Sequence, residues 1–312
     1  MPLRRIAVLL IVAAWALLTP AALVGLVFVQ DQKKRRWLKA AAILGLAPYV
    51  AAFYARYVEP KTLTVQRAEI SSAAWTADPI RIGVITDTHV GGRHVSAARI
   101  ESIVARMNAE KPDLVVLLGD YANGRSPASA RTPADRAEVE KGIAAFAALK
   151  APKGVYAAIG NNDLLYGEGL LRAALTNAQV TVLQNEVASA QGAAIDIAGI
   201  DVFGVGRARV AETIAKARPG ASVIAIMHYP DSFADIPANV ALSLAGHSHC
   251  GQVGLPFAEK FLNASDGSGT WRCHYYNTDG RHFYVSGGIG TSVLPMRLFA
   301  PPEINIITLR GK

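Results

Sequence analysis

At 312 residues the chain has room for one catalytic domain and a short extra segment. Its hydrophobic share of 51% and mean hydropathy of +0.24 are high for a soluble enzyme. The net charge of +8 suggests a polyanion partner, but its distribution excludes one: residues 1–61 hold nine Lys/Arg against two acids, and the remainder is nearly balanced. A nucleic-acid partner is therefore not expected, because binding a polyanion wants a basic surface on the domain itself.

Ile6 to Val29 is an uncharged apolar stretch of 24 residues, long enough to span a bilayer as a helix, with Pro20 as a kink site. It exceeds the usual apolar core of a cleaved signal peptide, and Arg4-Arg5 only weakly resembles a twin-arginine signal. Lys33 to Arg36 follows as a juxtamembrane basic cluster. Ala40 to Ala55, interrupted by Pro48, reads as a second span or as a helix lying in the interface. This gives residues 1–58 as a membrane anchor of one or two helices, 59–79 as a linker and 80–312 as the catalytic domain. A bacterial inner-membrane location is expected. The side is open: the loop and the two ends carry equal numbers of bases, although their density favours the loop inside and the domain in the periplasm.

Beyond the linker, apolar runs alternate with amphipathic ones. Ile80–Thr86, Leu114–Leu118, Val155–Ile159, Ser222–Met227 and Val240–Ala245 read as strands buried on both faces. Ala97–Glu110, Pro133–Lys150 with Thr132 as N-cap, Gly167–Asn177 and Ala208–Arg218 read as helices. Glu186–Ala190, Ala194–Ala198 and Asp201–Val205 suggest hairpins. The mixture argues for a layered α/β domain. Ser265–Thr270 reads as a mobile loop near the site. Two cysteines are too few for a disulfide framework. Cys250 reads as a small packing residue or, more sharply, as a redox-sensitive thiol.

Each core strand ends on a polar motif: Asp87-Thr88-His89, Gly119-Asp120, Gly160-Asn161, Met227-His228 and Gly246-His247-Ser248-His249. Ligands at the carboxyl ends of such strands converge on one edge of a sheet. Two carboxylates, one amide and four imidazoles form a mixed O/N set, which suits Mn, Fe or Zn better than Ca or Mg. Seven ligands are too many for one ion. They suit two divalent or trivalent transition-metal ions sharing a carboxylate, where a bridging water loses a proton readily and attacks phosphorus.

The series D-x-H, G-D, G-N-x-D, H and G-H-x-H resembles the signature of the calcineurin-like metallophosphoesterases, over residues 80 to 310. His228-Tyr229-Pro230-Asp231, the run Gly246 to Val253 and the run Tyr284 to Glu303 are similar to the membrane-associated branch of bacterial phosphodiesterases, which is itself similar to the UDP-2,3-diacylglucosamine pyrophosphatases. The resemblance implies a four-layer α/β/β/α sandwich of two packed sheets. It implies that Asp87, His89 and His249 hold one metal, that Asn161, His228 and His247 hold the other, and that Asp120 bridges them. It also implies catalytic or substrate-contacting roles for Asn162, Asp163 and Arg297, the last of which could meet phosphate or a headgroup or equally serve in a structural ion pair. The activity implied is hydrolysis of a lipid-linked phosphoanhydride or phosphodiester, with a broad phosphomonoesterase or phosphodiesterase of the cell envelope as the alternative. Scaffolds with this fold lose ligands, whereas all seven stand here.

One position departs from the family pattern. Many members carry His after the metal-binding Asn, and this chain carries Asn162. An amide donates a hydrogen bond but cannot act as an acid. A phosphate leaving group needs no acid, so Asn162 favours an anhydride unless His94 or His282 substitutes.

Overall fold

The structure is a computed structural model and describes residues 19–254 and 271–312. The first part of the Ile6–Val29 stretch and the Ser265–Thr270 loop lie outside the described residues. The chain divides into two compact units, Met1–Val58 and Glu59–Lys312.

In the first unit, helix α1 spans Thr19–Phe28 and helix α2 spans Gln32–Phe53. Asp31 caps α2, its carboxylate accepting from Lys34 N at 2.8 Å. The basic cluster Lys33–Arg36 thus sits in the first turns of α2 and not in a free loop, and the helix starts eight residues before the expected Ala40. The helical run Gln32–Lys61 is long and apolar enough to cross a membrane. Trp37, Ile43, Leu44, Val50 and Phe53 are all exposed on α2.

The second unit holds two six-stranded sheets. The first runs β1 (Thr64–Ser72), β12 (Glu303–Gly311), β2 (Ile80–Ile85), β3 (Leu114–Leu117), β4 (Val155–Ala157), β5 (Thr181–Val182). The second runs β10 (His274–Thr278), β11 (Arg281–Val285), β9 (Val240–Ala245), β8 (Ser222–Ile226), β7 (Ile195–Gly199), β6 (Glu186–Ser189). The inner strands of both sheets are parallel, apart from β12, which runs antiparallel to β2.

The two-residue period of the strands sorts side chains to the two faces of each sheet. Val84, Val116 and Leu118 face Ile197, Ile224 and Leu244 between the sheets. Ile85, Val115 and Leu117 face outward onto helices α3 (Ala97–Ala109), α4 (Pro133–Ala144) and α5 (Asn161–Asn177). On the far side, Ala198, Val223 and Ala225 pack under the short helix α6 (Val210–Ile214) and Phe233. The order of layers is helix, sheet, sheet, helix, as expected. Ser96 caps α3 and Thr132 caps α4, each side chain accepting a backbone N–H of the first turn.

Three expectations fail locally. Thr64–Ser72, read as linker, is a strand paired with β12 over nine residues. It escapes a search for apolar runs because it is an edge strand, half exposed along most of its length. Asp201–Val205 is not a strand: it ends in a 3₁₀ turn, Phe203–Val205. Helix α5 begins at Asn161 and not at Gly167, whose φ of 138° only kinks it.

Candidate metal centre

The seven candidate ligands all leave the carboxyl ends of β2, β3, β4, β8 and β9, so parallel strands bring five loops to one edge. The turns there are tight. Asp87, His89, Asp120, His247 and His249 adopt left-handed backbone, with φ between 47° and 67°. Such strain in non-glycine residues persists only where the surroundings over-determine it. The three preceding glycines serve two different needs. Gly119 has φ of 94°. A Cβ at Gly160 would run into Asp120 Oδ1, and one at Gly246 into Asp87 Oδ2.

The side chains form two clusters of donor atoms. In the first, His249 Nε2 is 3.3 Å from Asp87 Oδ1 and 3.2 Å from His89 Nε2. In the second, His228 Nε2 is 3.4 Å from Asp120 Oδ2, 3.2 Å from His247 Nδ1 and 3.2 Å from Asn161 Oδ1. Asp120 Oδ2 is also 3.8 Å from His89 Nε2, so this one carboxylate faces both clusters. Metal–ligand bonds of about 2.0–2.2 Å set neighbouring donors about 3 to 3.6 Å apart, which most of these separations match. Asp87 Oδ1 is buried with no hydrogen-bond partner among the described residues and points into the first cluster. The donors present therefore fit a pair of cations.

Several neighbours fix the donors, and the motifs gave no sign of them. Leu118 O accepts from His228 Nδ1 at 2.8 Å, which turns Nε2 toward the site. Thr86 Oγ1 and His247 N donate to Asp87 Oδ2 at 2.7 and 3.0 Å. Burial acts against the charges. It raises the Asp87 carboxyl above its ordinary value. It would raise Asp120 too, but the charge and hydrogen bond of His228 outweigh it and hold Asp120 below its ordinary value. Burial would lower His228, but Asp120 pushes it up to about 10. Burial and the His228 charge lower His247 to about 3, and burial and His89 lower His249.

The three residues singled out beside the ligands fall in different places. Asn162 lines the open cleft beside His89. Its N and Nδ2 donate to Asp120 Oδ1 and Oδ2 at 2.9 and 2.5 Å. Asp163 is fully buried and accepts from the N–H groups of Asp120, Tyr121 and Gly160, each at 2.8 Å. Burial and the Asp120 charge raise it to about 7. It ties the loop after β3 to the loop after β4 and has no open path to a substrate. Arg297 is also fully buried. It donates to the carbonyls of Gly287, Gly288, Gly290 and Ala300, and its Nη2 stands 3.2 Å from His249 Nδ1. Of the two readings of Arg297, substrate contact or a structural pairing, its full burial and these backbone acceptors favour the structural one: it backs the His249 ring. Neither possible substitute acid lines the cleft. His94 Nε2 lies 3.0 Å from Pro295 O, and His282 Nδ1 lies 2.7 Å from Tyr275 OH.

Cys250 is neither a packing residue nor a free thiol. It forms a disulfide with Cys273 across 23 residues of chain, directly after His249. Counting cysteines missed it because one bridge needs no framework.

The family model for calcineurin-like phosphoesterases matches residues 80–251. Among curated proteins, the chain is similar to the uncharacterized metallophosphoesterase YkuE of Bacillus subtilis, 29% identical over 83% of this chain and 89% of that one. It is similar to phosphodiesterase YaeI of Escherichia coli, 26% identical over 88% of this chain and 98% of that one. Among solved structures, purple acid phosphatase PPD1 from yellow lupin matches at 12% identity and a TM-score of 0.38, over 75% of this chain and 55% of that one.

Proposed function

Because the chain belongs to the calcineurin-like phosphoesterase family and is a metal-dependent phosphoester hydrolase, we propose that it is held at the bacterial inner membrane by its N-terminal helices and cleaves a lipid-linked phosphoanhydride or phosphodiester. The two His/Asp clusters together with the family imply a dinuclear metal centre. Asp87, His89 and His249 would hold one ion, Asn161, His228 and His247 the other, and Asp120 both. Bound there, the ions would polarise the phosphoryl oxygens and lower the pKa of water.

The chain's own groups define the rest. Leu118 keeps His228 in the ligating tautomer, and Asp163 holds the loops that carry Asp120 and Asn161. Asn162 carries the choice of bond. It stands where substrate enters and can donate a hydrogen bond but no proton, so the leaving group departs unprotonated. A phosphate does this readily and an alkoxide does not, which favours an anhydride. Val293, 79% exposed, lines the same cleft and supports an apolar portion on the substrate.

The Cys250–Cys273 bridge supports an oxidising compartment. It counts against UDP-2,3-diacylglucosamine, a cytoplasmic substrate, and for a phosphoester or anhydride at the outer face of the membrane. The test is hydrolysis by the metal-loaded, full-length protein of a dialkyl diphosphate against a dialkyl phosphate. Faster cleavage of the diphosphate is expected; cleavage of the dialkyl phosphate at an equal or greater rate would reject the anhydride.

A further inference from the structure

The cleft beside the metal centre has a volume of about 230 Å³, several times the ~30 Å³ share of one water. His89 and Asn162 lie on its metal side, and Arg93 and Arg125 line it as well. Both arginines are exposed, and neither makes an ion pair or a side-chain hydrogen bond among the described residues. Among the described residues no carboxylate lines the cleft. Two guanidinium groups with no acid among the described residues to answer them make a site suited to an anion.

Both arginines sit on loops that the fold restrains. Arg93 follows a tight turn in which Gly92 N donates to His89 O at 2.9 Å and Gly91 N to Val95 O at 3.0 Å. It is therefore tied to a candidate ligand four residues back. Arg125 follows Gly124, where a Cβ would run into the Asn162 side chain, so this loop lies directly against Asn162. Arg131 pins the same loop from behind. It donates to Ser126 O at 2.9 Å and to Asn123 O, and its guanidinium stacks on Tyr166 at 4.8 Å.

We infer that Arg93 and Arg125 form a second anion subsite that receives the leaving phosphate of a phosphoanhydride, which makes them specificity-determining residues. The inference rests on the anhydride reading above and supplies what Asn162 cannot. Water adds to the phosphorus at the metal centre, and the bridging P–O bond breaks. Its electron pair leaves with the distal phosphate, and the proton of the water passes to solvent. The charge that builds on the departing phosphate is met by two guanidinium groups rather than by a proton. Arginine matches a phosphate bidentately.

The experiment uses full-length protein in detergent, loaded with manganese, and the variants Arg93→Ala, Arg125→Ala and Arg125→Lys. The substrates are ADP-ribose, a diphosphate, and bis(p-nitrophenyl) phosphate, which has one anionic group and a good leaving group. Each alanine variant is expected to lose at least tenfold in kcat/KM on the diphosphate and less than twofold on the diester, with Arg125→Lys in between. Calorimetry should show inorganic pyrophosphate binding weakened at least tenfold and orthophosphate binding little changed. Equal losses on both substrates, or no loss on the diphosphate together with unchanged pyrophosphate binding, would overturn the subsite. Wild-type protein that cleaves the diester and ignores the diphosphate would instead overturn the anhydride reading, and the subsite with it.

Discussion

Cys250, bonded to Cys273, is the next residue after His249, so a covalent cross-link anchors the loop that carries a candidate metal ligand. Cys250 itself has φ of 53°, and a Cβ at Gly287 would press on its sulfur. The bridge holds a strained turn against its natural tendency to relax. In the chain-entropy account, closing a loop of this size stabilises the fold by about 3 kcal/mol. Replacing both cysteines with serine should lower the unfolding free energy by that order and weaken metal retention. Denaturant titration and metal content after dialysis check both. A periplasmic reporter, alkaline phosphatase fused at the carboxyl end, should be active if the bridge reflects the compartment.

Among the described residues Asp120 is the one carboxylate that faces both clusters. Asp120→Ala should leave at most one tightly held ion per chain and lower activity by at least a thousandfold. His249→Ala should remove a ligand of one cluster only and leave the other ion in place. Elemental analysis of wild-type and both variants separates these outcomes. Two ions retained in Asp120→Ala would show that Asp120 does not bridge.

The paired charges of His228 and Asp120 give a pH signature in metal-free protein. His228 is raised from 6.5 to about 10, so its contribution to stability is complete below about pH 6.5 and is lost as the pH rises toward 10. Asp120 is depressed, so its contribution is present above its ordinary value near 4 and is lost in acid. The stability difference between wild-type and His228→Gln should therefore shrink steadily from pH 6.5 to 10. Metal uptake has the opposite sense: the proton on His228 must leave first, so affinity should climb with pH over the same range. Chemical denaturation of the chelated proteins at several pH values tests the first trend, and metal titration tests the second. A difference independent of pH would show that the pair is not charged.

Arg297 serves four carbonyls and the His249 ring from full burial. Arg297→Met fits the volume but leaves those acceptors unpaired, and each orphaned buried acceptor costs about 1–3 kcal/mol. A loss of at least about 3–5 kcal/mol is expected, the scale of breaking a buried ion pair. Arg297→Lys should restore less than half. If Arg297 instead touched substrate, the methionine variant would keep its stability and lose only turnover, which thermal unfolding would reveal.

What could be read from the chain depended on how local the signal was. The five core strands and the polar motifs that close them were legible because each is a continuous apolar run ended by polar residues, a pattern carried by adjacent residues. The edge strand Thr64–Ser72 was not, because its pairing with Glu303–Gly311 joins segments more than two hundred residues apart and one side stays in solvent. For Arg297 the sequence left substrate contact and a structural pairing open, because sequence gives charge without depth. Depth alone turns it into a support for His249. The disulfide was invisible for a similar reason: two cysteines 23 residues apart form a bond only if the fold brings them together. Of the glycines before Asp120, Asn161 and His247, only Gly119 has a positive φ. Gly160 and Gly246 act by letting backbone approach Asp120 and Asp87.

Asn162 offers the most direct control over leaving-group preference. It hydrogen-bonds both oxygens of Asp120 and stands in the cleft with Arg93 and Arg125. Asn162→His would place an ionisable ring there, against Gly124, whose missing Cβ leaves the space that the Asn162 side chain now fills. A positioned acid contributes on the order of 10²–10⁴-fold when the leaving group is a poor one. The variant should therefore gain on a dialkyl phosphate by one to two orders of magnitude, given imperfect placement, and change little on a dialkyl diphosphate. Its rate on the dialkyl phosphate should also fall above the pKa of the new imidazole, near its ordinary 6.5, while the wild-type rate shows no such limb. Measuring both substrates across pH in both proteins decides the matter. A uniform gain on the two substrates, or no gain on the dialkyl phosphate, would mean that residue 162 does not choose the bond that is cleaved.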